Sequence, residues 1–95
     1  MIVSYRDKDT RAFAGGKRVK RFEPFRQQAE MRLDRLEAAP NLHALRALPG
    51  NRFEALKGDR KDQFSIRIND QWRICFRWPG GSPGPVSVEI VDYHD

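Results

Sequence analysis

Glu54, Arg67, Arg73 and His94 are residues whose types could together do acid–base chemistry on a phosphodiester, and RNA is the least demanding such substrate. The ribose 2′-hydroxyl can attack the neighbouring phosphorus, so no protein nucleophile is needed. A base for that hydroxyl, cations for the charge growing on phosphate and an acid for the leaving oxygen suffice. This sequence holds a candidate for each: Glu54 as base, Arg67 and Arg73 as cations, and His94 as acid. Other chemistries lack their parts. His43 and His94 are the only histidines, with no ligand spacing and no partner cysteines, so no metal site is expected. Gly80-Gly81 precedes no helix, so it is no phosphate loop, and no serine-hydrolase motif is present. No cofactor is expected.

The elements that must position these residues can be read from periodicity. Ile2–Tyr5 is β-prone and predicts a short first strand. Residues 9–14 predict a short helix stopped by Gly15-Gly16. Phe22, Phe25, Ala29, Leu33 and Leu36 recur every three or four residues. They predict the clearest helix, with Pro24 in its first turn and Pro40 beyond its end. Residues 42–48 predict a further helical turn.

Beyond Gly50 the period becomes two. Residues 52–56 read as a strand followed by a Lys57-Gly58-Asp59 turn. Phe64, Ile66 and Ile68 then alternate with polar residues, as do Trp72, Ile74, Phe76 and Trp78. Opposed residues share a face, so pairing Ile68 with Trp72, Ile66 with Ile74 and Phe64 with Phe76 keeps every apolar residue together. That register requires an Asn69-Asp70-Gln71 loop and sets Arg67 opposite Arg73, a like-charge pair that would welcome an anion. Residues 86–91 predict a last strand, on which strict alternation puts His94 with Val88 and Ile90 on the core side. The tail must therefore bend for His94 to reach the other face. The expected class is α+β: an N-terminal strand and two helices packed on an antiparallel sheet.

Composition narrows the partners. The 95 residues suit a single domain, 1–95, too small for a deep enclosed site, so an open groove or sheet face is expected. Lys and Arg outnumber Asp and Glu by 18 to 13, a net charge of +5 that favours polyanions. Lys17, Arg18, Lys20 and Arg21 form a basic cluster suited to binding RNA phosphates or, equally, to a solvated helix approach or a protein contact. A lone cysteine, Cys75, fits a reducing cytosol and is expected to be packing. No apolar stretch approaches the ~20 residues of a membrane span, and the N-terminus lacks a signal segment, so a cytoplasmic location is expected.

Several stretches together carry a family resemblance. Leu56-Lys57-Gly58-Asp59-Arg60, Phe64-Ser65-Ile66-Arg67-Ile68, Trp72-Arg73-Ile74 and Val91-Asp92-Tyr93-His94 resemble the HigB family of plasmid-maintenance killer toxins. The opening Ser4-Tyr5-Arg6-Asp7-Lys8 is similar as well. The resemblance implies the RelE/ParE fold. It also implies a type II toxin that binds the ribosomal A site, cuts mRNA there and is blocked by a cognate antitoxin, HigA-like with a helix-turn-helix. One position departs: HigB proteins typically carry His where this chain has Glu54. The related YoeB branch carries Glu there as general base, together with an Arg and a C-terminal Tyr-His. By that resemblance Glu54, Arg73 and His94 form the catalytic set, aided by Lys57 and Arg67 at the phosphate and Tyr93 stacking on a base. A ParE-like gyrase poison or an inactive toxin-like binding module are the competing readings.

Overall fold

The structure is a computed structural model, and it describes residues 1–93. Three helices, α1 (Lys8–Ala14), α2 (Arg26–Ala38) and α3 (Leu42–Arg46), accompany four strands: β1 (Glu54–Ala55), β2 (Phe64–Arg67), β3 (Trp72–Arg77) and β4 (Val86–Asp92). The strands form one antiparallel sheet in the order β1-β2-β3-β4. This is the α+β architecture that the alternation of periods predicted.

The β2–β3 register is the one that parity demanded. Phe64 pairs with Phe76, Ile66 with Ile74 and Arg67 with Arg73. The Ile68 N–H donates to the Trp72 carbonyl at 2.9 Å, closing the Asn69-Asp70-Gln71 loop. Asn69 stabilises that loop, its side-chain oxygen accepting from the backbone N–H groups of Gln71 and Trp72, each at 2.8 Å. Between β3 and β4 the register shifts at Cys75–Arg77, where Ser87 takes a left-handed φ of 54°. The extra residue bends β4, as bulges do.

Apolar stripes meet where helix and sheet face each other. Phe22, Phe25, Ala29, Leu33 and Leu36 are all buried, packed with Ile66, Ile74, Phe76, Val88 and Ile90. Trp72 joins the layers: its ring lies 4.8 Å from that of Phe25 and 5.9 Å from that of Phe22. Buried Thr10 ties α1 to β4, its hydroxyl accepting from the Ile90 N–H at 3.0 Å.

Three elements differ from the periodicity. The long helix starts later: Lys20–Phe25 is a 3-10 segment containing Pro24, and α2 begins at Arg26. Proline lacks the N–H that a continuous α-helix would use and its ring crowds the preceding turn, so the regular α-helix begins only after it. Residues 2–5 join the sheet edge through a single parallel bridge, Tyr5 to Val88, with the Val88 N–H donating to the Ser4 carbonyl at 3.1 Å. The strand expected over 52–56 shrinks to Glu54–Ala55: Arg52 is left-handed, φ 45°, which turns the chain out of the extended path before the pairing with β2 begins at Glu54.

Candidate active site on the open sheet face

The sheet has a second face, opposite the helices. Glu54 pairs with Ser65 and Ser65 with Cys75, which in turn pairs with Glu89, so these four form one row. Arg67, Arg73 and Val91 form the adjacent row. Alternation, which sends the apolar residues to the helices, sends every one of these to the other side.

Arg73 is the centre of the site, its side chain 13% exposed. Nε donates to the Ser65 hydroxyl at 2.8 Å, and Nη2 donates to the Arg52 carbonyl at 2.6 Å. The same Nη2 lies 3.3 Å from Oε1 of Glu54, diagonally across β2. The guanidinium also sits 5.8 Å from the Tyr93 ring centroid, within cation–π range. A cation so anchored needs little reorganisation to receive an anion. Glu54, half-exposed, keeps access to solvent and to an incoming substrate.

Arg67 stands opposite Arg73 as predicted, but the two do not face each other as bare charges. Arg67 is ion-paired through Nη2 with exposed Asp70, and Arg73 has Glu54. Each cation carries its own carboxylate, which lowers the repulsion that was expected to draw in an anion. An anion must therefore compete with Asp70, whose fully solvated carboxylate can swing away. Arg52, Phe53, Glu54, Arg67, Asn69, Asp70 and Arg73 line the resulting depression, open to solvent as a small domain requires.

The remaining expected residues lie elsewhere. Lys57 is exposed on the turn leaving β1. Lys17, Arg18, Lys20 and Arg21 line a separate depression on the helical side, beside Asp9 and Ala12. There Arg21 pairs with Asp9 at 3.2 Å and Arg18 with Glu23 at 3.5 Å, so part of that charge is already neutralised. His94, and the bend it was expected to need, lie outside the described residues.

Three contributors escaped periodicity. Ser65 is a small polar residue in a strand, and Arg52 acts through its carbonyl, so neither carries a side-chain signal. Glu89 is the third: its carboxylate receives Arg60 at 3.1 Å and Arg6 at 3.5 Å. Burial in the same row pushes the Cys75 thiol up to about 11, which leaves it protonated and inert near neutrality. Among the described residues no group of three or more His, Cys, Asp or Glu is placed to hold a metal ion. No helix is long and apolar enough to cross a membrane, again among the described residues.

A family model described as the RelE-like toxin of the type II toxin–antitoxin system HigB matches residues 4–94. A protein of Vibrio cholerae serotype O1 named Toxin HigB-1 is 48% identical over 50 residues, covering 53% of this chain and 53% of its own length. An uncharacterized protein of Haemophilus influenzae is 27% identical over 63 residues, 66% of this chain and 62% of its own length. The matched stretches thus span between half and two thirds of these relatives.

Proposed function

The chain belongs to the HigB family of RelE-like toxins of type II toxin–antitoxin systems, and from that premise we propose that it is a ribosome-dependent mRNA endoribonuclease. The observation that carries the reading is the Arg73 guanidinium. It is held by Ser65, the Arg52 carbonyl, Glu54 and Tyr93, its side chain only 13% exposed, yet it lines an open groove.

In the proposed reaction Glu54 accepts the 2′-hydroxyl proton, and the freed oxygen bonds to the adjacent phosphorus. Arg73, with Arg67 and Lys57, holds the phosphate oxygens as negative charge builds; guanidinium suits this through paired hydrogen bonds. The bond from phosphorus to the 5′-oxygen breaks, and His94 supplies the proton that this oxygen takes. The products are a 2′,3′-cyclic phosphate and a 5′-hydroxyl. Tyr93, already beside Arg73, offers a ring on which an unstacked base can rest. Glu54 takes the place of the His typical of HigB proteins and keeps a proton acceptor there.

Partners follow from the same reading. A cytoplasmic toxin of this kind has a cognate antitoxin, HigA-like with a helix-turn-helix, and acts at the ribosomal A site. Lys17, Arg18, Lys20 and Arg21, on the other side of the sheet from Arg73, suit contacts to ribosomal RNA phosphates.

A cell-free translation extract with and without the protein, with mRNA ends mapped, tests the proposal. New ends inside the translated region support it. Intact mRNA with undiminished translation counts against it, and intact mRNA with loss of gyrase supercoiling favours the gyrase-poison reading.

A further inference from the structure

We infer that Ser65 is a positioning residue for the Arg73 phosphate clamp, working jointly with the Arg52 carbonyl. The inference rests on the ribonuclease reading of the site. Ser65 is fully buried, and its hydroxyl oxygen accepts from Arg73 Nε at 2.8 Å. A long, flexible side chain reaching out of β3 is thereby fixed near its middle, at the only guanidinium nitrogen that carries a single hydrogen.

The second restraint is built into the backbone. Asn51, fully buried, donates from Nδ2 to the Leu45 carbonyl at 3.1 Å and accepts from Arg35 Nη1 at 3.2 Å. That anchor fixes the Pro49–Asn51 turn, after which Arg52 takes φ 45° and ψ 52°. This region is sparsely populated by residues other than glycine, and it persists only where the surroundings enforce it. Here it turns the Arg52 carbonyl onto Arg73 Nη2 at 2.6 Å.

The two acceptors sit on two different nitrogens of one rigid plane, so together they set its rotation as well as its place. The contacts among the described residues engage Nε and Nη2. A phosphate oxygen is then expected at Nη1, beside the Nη2 that Glu54 relinquishes when it takes a proton. Ser65 touches no reacting atom; it acts through Arg73.

Ser65→Ala tests this in a double-mutant cycle with Arg73→Lys, since lysine has no Nε–H at that position. Single-turnover cleavage of ribosome-bound mRNA by Ser65→Ala is expected to fall about 10- to 100-fold, with ribosome affinity retained. In the Arg73→Lys background the same substitution is expected to change the rate less than about 2-fold. Equal losses in both backgrounds would assign Ser65 to general packing and overturn the inference, as would an unchanged rate in Ser65→Ala. Ser65→Cys, near in volume with a weaker acceptor, carries the same test if Ser65→Ala does not fold. Solvent exchange of the Arg73 Nε–H, followed by NMR, separates this inference from the ribonuclease reading. It should quicken about 10-fold or more when the acceptor is removed, whether or not RNA is cut. Unchanged exchange overturns the inference, whereas an inactive wild-type protein with quickened exchange in the variant overturns only the ribonuclease reading.

Discussion

Glu54→Gln separates chemistry from architecture. The substitution keeps shape and removes the basic carboxylate. Its cost in stability is small, because Glu54 is 49% exposed and Arg73, 13% exposed, keeps the Ser65 hydroxyl and the Arg52 carbonyl as acceptors. A pair of this kind contributes less than about 1 kcal/mol, and the Gln oxygen can still accept from Arg73. The effect on rate is of another order: a general base accounts for roughly 10²- to 10⁴-fold, or about 3–5 kcal/mol of barrier. A melting temperature within a few degrees of wild type, with cleavage down at least 100-fold, is therefore the expected pair of results. Single-turnover cleavage and ribosome binding should be measured side by side. Binding should hold or tighten slightly, since a carboxylate repels phosphate. Full cleavage by the variant would remove Glu54 from the mechanism, and lost ribosome binding would make it a docking residue.

Other perturbations probe the frame. Phe76 is fully buried at the centre of the sheet's apolar face, and Phe76→Ala should cost about 3–5 kcal/mol. By thermal melting that is a fall of roughly 12 °C or more for a domain of this size; an unchanged melting temperature would refute the packing. Cys75 gives a signature in alkali. Its folded pKa is raised, so the stability it contributes is complete below the unfolded value of 9.0 and is lost as pH climbs towards about 11. Cys75→Ala should flatten the alkaline decline of stability relative to wild type across that window; identical declines would show that the thiol does not titrate there.

Much of this frame was legible in the sequence for a simple physical reason. A strand's side chains alternate strictly, so one demand, that Ile66, Ile74, Phe64 and Phe76 share a face, fixed the register and placed Arg67 opposite Arg73. The helical stripe from Phe22 to Leu36 was equally plain, although Pro24 moved the start of α2 to Arg26. What periodicity could not convey was how Arg73 is held. Arg52 contributes a carbonyl aimed by a left-handed backbone, and that conformation depends on buried Asn51, a tertiary contact with Leu45 and Arg35. The pairing of Arg67 with Asp70 was hidden too, since an exposed loop carboxylate has no pattern to betray its partner. The roles proposed for Glu54 and His94 rest on family resemblance, because a single Glu on a short strand and a His late in the sequence carry little signal of their own.

If this protein uses the RNA's own 2′-hydroxyl as nucleophile, with Glu54 and Arg73 serving it, removing that hydroxyl must abolish cleavage. A single 2′-deoxy substitution at the mapped cleavage position, in an mRNA otherwise unchanged and bound in the ribosomal A site, tests that most directly. Wild-type protein should leave the substituted message intact. On the unmodified message it should produce a 2′,3′-cyclic phosphate and a 5′-hydroxyl. Cleavage that persists at the deoxy position would contradict the account, because the oxygen that Glu54 is proposed to deprotonate would be absent.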